Sequence, residues 1–146
     1  MKKSGQLRRF TATLAVTAAL LTSCSDDGGS GGESIEQTKI EDSSVEGIKK
    51  ITLSEAGQKR IDLKTVAVTS SANGVEIPYS AVIYDPDGGT WAFVGDPAAR
   101  TYQRAGIVIA RIDGRTAILS DGPTAGTLVV TQGAAQLYGS ERGMGH

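Results

Sequence analysis

Turn-forming residues punctuate this chain so often beyond residue 70 that only short strands fit between them. Asn73-Gly74, Asp85-Pro86-Asp87-Gly88-Gly89, Gly95-Asp96-Pro97, Asp113-Gly114 and Asp121-Gly122-Pro123 each combine a fixed or positive φ with side chains that bond their own backbone. The segments between them are rich in β-branched and alternating residues. Leu63, Thr65, Ala67 and Thr69 alternate with Lys64, Val66, Val68 and Ser70. Further strands are predicted over residues 75–78, 80–84, 91–94, 100–111, 115–119 and 127–131. Pro78 has no N–H to give a ladder, so it marks an edge, a bend or a strand start. Residues 50–53 begin the series as a strand. Ser54 then caps a helical turn or two over residues 55–61, where Ala56, Arg60 and Ile61 recur at helical spacing. The expected fold is mainly β: a small antiparallel β-roll or barrel-like domain with one short helix.

The core of that domain has no covalent staple. Cys24 is the only cysteine, so no disulfide forms within one chain. Its position has another meaning. Lys2, Lys3, Arg8 and Arg9 form a basic start, and residues 10–21 are an apolar run too short for the roughly 20 residues that span a bilayer. Leu21-Thr22-Ser23 then leads into Cys24, a spacing that resembles the bacterial lipobox. The expectation is a cleaved lipoprotein signal over residues 1–23, with lipid on the Cys24 thiol as a membrane partner. A single acyl chain anchors marginally, and the two chains of a diacylglyceryl group hold firmly. The expected location is the extracytoplasmic face of the cell membrane. Residues 24–47 are rich in Ser, Gly, Asp and Glu and are expected to be a flexible tether. The domain is expected over residues 48–139, followed by a tail over residues 140–146.

Charge and residue type exclude several chemistries. Four of the 15 basic residues lie in residues 1–23, leaving 11 against 16 acidic ones from Cys24 onward, a side-chain charge of about −5. Such a chain lacks the basic stripe of a nucleic-acid binder. His146, the single histidine, is the last residue, so no Cys/His nucleophile pair and no histidine-based metal cluster is available. The glycines at 88, 89 and 95 are followed by no Gly-Lys-Ser/Thr step, and so form no phosphate loop. Asp85 and Asp87 flank a proline turn and read as solvated carboxylates rather than an acid/base dyad. Gly143-Met144-Gly145-His146 reads as a frayed tail rather than a soft-metal site. Trp91 reads as hairpin packing rather than a ligand platform. No catalytic, cofactor-binding or metal-binding residue is expected, and the protein is not expected to be an enzyme. Tyr84, Asp85, Asp87 and Trp91, grouped around one hairpin turn, are the candidate partner surface.

The order of segments carries a resemblance. Ile77-Pro78-Tyr79-Ser80-Ala81-Val82-Ile83-Tyr84-Asp85 followed by Gly88-Gly89-Thr90-Trp91-Ala92-Phe93-Val94 resembles the membrane-proximal domain of periplasmic adaptor subunits, the membrane fusion (HlyD-like) proteins of resistance-nodulation-division efflux systems. Tyr102 and Arg104 lead into Ile107-Val108-Ile109 in the same order. Leu119 to Gly122, then Ala125-Gly126-Thr127-Leu128-Val129-Val130-Thr131-Gln132-Gly133-Ala134 and Leu137, are similar to the family's ending. Ile51-Thr52-Leu53-Ser54-Glu55 through Ile61, and Leu63-Lys64-Thr65 with Val66 and Val68, resemble its N-terminal contribution. In that family a long excursion through barrel, lipoyl-like and helical-hairpin domains separates the two parts; here residues 69–74 stand in its place, and no heptad pattern occurs. The resemblance implies a non-enzymatic accessory or docking module for a membrane transporter or another envelope protein. A small ligand- or metal-binding envelope lipoprotein on the same fold is the alternative.

Overall fold

The computed structural model describes residues 38–143, so the expected signal segment and Cys24 lie outside the described residues. Eleven strands and two helices follow in order: β1 (Thr38–Asp42), β2 (Lys49–Leu53), α1 (Glu55–Arg60), β3 (Lys64–Ala67), β4 (Thr69–Ser71), β5 (Gly74–Pro78), β6 (Val82–Tyr84), β7 (Thr90–Asp96), β8 (Thr101–Gly106), β9 (Val108–Asp113), β10 (Thr116–Asp121), β11 (Leu128–Gln132) and α2 (Ala134–Glu141). A 3₁₀ turn, Tyr79–Ala81, joins β5 to β6. The fold is mainly β and antiparallel, as expected, but two open sheets take the place of a closed barrel. Sheet A runs β1-β2-β8-β7-β11-β3, with β6 also paired to β7, and sheet B runs β4-β5-β10-β9.

The chain passes between the sheets at single buried residues. Val68 separates β3 from β4 and exchanges backbone hydrogen bonds with Thr127 and Gly126 at 2.8 and 2.9 Å. Ile107 separates β8 from β9, donates its N–H to the Thr90 carbonyl at 3.0 Å and accepts from Thr90 Oγ1 at 2.6 Å. Both corners are thus hydrogen-bonded as well as apolar, which satisfies the backbone groups that a bend takes out of the ladder.

Two apolar clusters sit on opposite faces of sheet A. Val68, Ile77, Ala81, Ala92, Ile107, Ala117, Leu119 and Val129 fill the space between the sheets. On the other face Ile51, Leu53, Phe93, Tyr102 and Val130 meet Ala134 and Leu137 of α2, with Ile61 and Leu63 beside them. Successive residues of one strand therefore serve different clusters: Ala92 and Phe93 on β7, Val129 and Val130 on β11. Burial on both faces explains why these central strands read as continuous apolar runs. The arrangement is three layers deep: helices, sheet A, sheet B.

Two boundaries differ from expectation. Thr38–Asp42, within the expected tether, pairs antiparallel with β2 from Thr38↔Leu53 to Asp42↔Lys49. Its charged side chains are satisfied in solvent at a sheet edge, so it needs little apolar content. A second helix, α2, extends to Glu141, into the expected tail. Its N-terminus is Gly133 at φ +90 with no side-chain cap, so the usual start signal is missing. The expected helix is present as α1, where the Ser54 hydroxyl accepts from the Gly57 N–H at 3.0 Å.

Candidate interaction surface

The β6–β7 hairpin carries the sequence-derived candidates. Asp85 N–H donates to the Gly89 carbonyl at 3.0 Å, and Gly88 N–H to the Asp85 carbonyl at 3.1 Å, with Gly88 at φ +86. The Asp85 side chain faces inward on this turn. Its Oδ1 accepts from the Gly89 N–H at 2.6 Å and its Oδ2 from the Trp91 indole N–H at 2.7 Å. Gly89 is required by this packing, because a Cβ there would lie 2.7 Å from Trp91 Nε1 and 2.8 Å from Asp85 Oδ2. Asp87 is exposed on the same turn.

Strand alternation puts Trp91 and Tyr84 on opposite faces of sheet A. Trp91 lies opposite Ile83 and shares its face with Phe93, toward the helices. Tyr84 lies opposite Thr90, on the face toward sheet B. There it is 53% exposed, and its phenol oxygen is 3.4 Å from that of Tyr79, itself 41% exposed. The Tyr79 contact, the largest cause, and partial desolvation raise the Tyr84 hydroxyl above its ordinary pKa of 10.0. Asp85 and Trp91 therefore form one unit, and Tyr79 with Tyr84 another.

On the helix side, Trp91 covers a charged cluster that sequence reasoning did not find. The Arg104 guanidinium lies 4.4 Å from the centroid of the Trp91 ring and 5.8 Å from that of Tyr138. The Arg142 guanidinium lies 5.3 Å from the centroid of the same Tyr138 ring. Arg104 Nε is 2.6 Å from Glu141 Oε2, with the two side chains 7% and 2% exposed. The N–H is not aimed at that oxygen, so this is an ion pair without an aligned hydrogen bond. The remaining contacts are to backbone: Arg104 Nη2 donates to the Gly47 carbonyl at 3.4 Å, and Lys49 N–H to Glu141 Oε1 at 3.2 Å. The Tyr138 hydroxyl is buried with no hydrogen-bond partner among the described residues. A signal was available, since Ala134, Leu137, Tyr138 and Glu141 recur at helical spacing.

The Asp85–Trp91 bond has a pH consequence. The Trp91 N–H first, and the Gly89 N–H second, hold the Asp85 carboxyl below its ordinary 3.8. A depressed folded-state pKa means that this contribution to stability is present above 3.8 and is lost as pH falls through the lower folded value. Trp91 is the only tryptophan, so its fluorescence reports the event directly. The emission of the native protein is expected to titrate below pH 3.8, and Asp85→Asn is expected to abolish that transition.

Among the described residues, no group of three or more His, Cys, Asp or Glu side chains is placed to hold a metal ion. An open hollow of about 290 Å³ beside α1 is lined by Glu55, Gln58, Lys59, Asp62 and Leu63. Two of these charges are engaged in an ion pair, Lys59 to Glu55 at 2.6 Å. No helix among the described residues is long and apolar enough to cross a membrane. No known protein family, curated protein or solved structure matches the chain.

Proposed function

We propose that this protein is a membrane-anchored extracytoplasmic lipoprotein whose β domain is a non-enzymatic docking module for a membrane transport system of the efflux type. The signal and the Leu21-Thr22-Ser23-Cys24 sequence support the anchor. The observation that carries the docking reading is the β4–β5 hairpin. Thr69, Ser70 and Ser71 pair directly with Glu76, Val75 and Gly74 at the point where the adaptor-like sequence lacks its long excursion. The two halves that resemble an adaptor's membrane-proximal domain thus meet in one two-sheet unit. Exposed Tyr79 and Tyr84 give that unit amphipathic side chains of the kind that dominate interface energetics.

The test is co-purification from detergent-solubilised native membranes with the lipidated protein as bait. A membrane transport component is expected to be retained through purification. Recovery of the bait with no such component would count against docking.

A further inference from the structure

We propose that β1 is an exchangeable edge strand, and that the edge of β2 beneath it is a strand-addition site for β1 of a second copy of this chain. β1 belongs to neither apolar cluster. Its one large apolar residue, Ile40, is 43% exposed. Besides the backbone ladder to β2, it is held by Glu41 to Lys50 at 3.6 Å and by Asp42 to Lys49, with every one of these side chains at least 39% exposed. Exposed pairs of this kind contribute roughly 0–1 kcal/mol each. β2 is different. Ile51 and Leu53 are core residues, and the opposite edge of β2 is paired with β8. β2 therefore stays in place when β1 leaves, and local opening of such an edge is far easier than global unfolding.

The bared edge is selective. Lys49 and Lys50 lie opposite Asp42 and Glu41, and Ile51 opposite Ile40, so it fits a strand reading apolar, acidic, acidic. β1 of another copy has that order by identity. The hinge is the turn between β1 and β2, where Ser43 N–H donates to the Ile48 carbonyl at 3.1 Å and Ile48 N–H to the Val45 carbonyl at 3.2 Å. Residues 44–47 are exposed, so extending them gives up the 3.4 Å bond from Arg104 Nη2 to the Gly47 carbonyl and removes no apolar side chain from the core. Reciprocal exchange then gives a closed two-fold dimer that keeps every β1–β2 contact and changes only the hinge.

The test uses full chains carrying Cys24→Ser. One chain also carries Glu41→Cys and another Lys50→Cys, at directly opposed positions. The two are mixed and oxidised. A disulfide-linked heterodimer is expected, several-fold above that from Glu41→Cys mixed with Asp113→Cys, whose cysteine lies in sheet B. A chain carrying both Glu41→Cys and Lys50→Cys reports whether the geometry permits the bond, and Asp42→Cys with Lys49→Cys repeats the comparison at the next pair. Heterodimer at the level of the Asp113→Cys control, with ready oxidation inside the doubly substituted chain, overturns the proposal.

Discussion

Arg104→Ala is expected to destabilise the domain by about 3–5 kcal/mol, because it leaves the Glu141 carboxylate buried and unpaired. Glu141→Ala is expected to destabilise by less, stranding the guanidinium in its place between Trp91 and Tyr138. The two losses share one interaction, so the double alanine variant should be well short of their sum. The cation–π contact to Trp91 belongs to Arg104 alone and is worth up to about 2 kcal/mol when desolvated. Arg104→Ala should therefore exceed Glu141→Ala. Replacing both partners by apolar side chains of similar size, Arg104→Met with Glu141→Leu, is expected to be near neutral or stabilising, since neither charge is then taken out of water. Urea unfolding of the four variants measures the whole cycle. An Arg104→Ala loss below about 1 kcal/mol would show that the pair is solvated in solution.

Phe93→Ala is expected to cost about 3–5 kcal/mol. Phe93 has no exposed surface and lies on β7 in the centre of the helix-side cluster, with Ile51, Leu53, Tyr102, Val130 and Leu137. Its neighbours come from three other strands and from α2, so they cannot all collapse into the space it leaves. Phe93→Leu, which keeps most of the volume, is expected to lose less than half as much. The neighbouring Ala92 serves the cluster between the sheets, so damage at Phe93 should first loosen α2. Hydrogen exchange of the α2 amides is expected to accelerate more than that of sheet B. Equal acceleration in both would mean that the two clusters unfold as one unit.

Local signals in the sequence account for the hairpins and the first helix. Asn73-Gly74 turns β4 into β5, Asp113-Gly114 turns β9 into β10 with Gly114 at φ +57, and Ser54 caps α1. Alternation also put Tyr102 and Arg104 on one side of β8, where both are buried. The division into two sheets was not legible, because it turns on Val68 and Ile107, which are ordinary apolar residues within β-rich runs. β1 escaped notice because an edge strand can be stable with polar side chains. α2 escaped notice because its sequence includes Gly139 and lacks a side-chain cap. The Arg104–Glu141 pair is a tertiary event: an arginine at an inward-facing strand position announces the need for an anion but not where it comes from. Among the candidate surface residues, Asp85 and Trp91 share one hairpin, but pleating sends Tyr84 to the other face, where Tyr79 joins it.

We propose that a lipid on Cys24 holds this domain at a membrane, where it docks on a transport component. Purification from native membranes, with the unaltered chain and Cys24→Ser compared side by side, tests both parts together. The unaltered chain is expected in the membrane fraction, with acyl groups on Cys24 by mass spectrometry and a transport protein retained beside it. Cys24→Ser is expected to leave that fraction. An unmodified Cys24 in soluble protein would contradict the anchor, and an acylated, membrane-bound chain that retains no transport protein would contradict the docking.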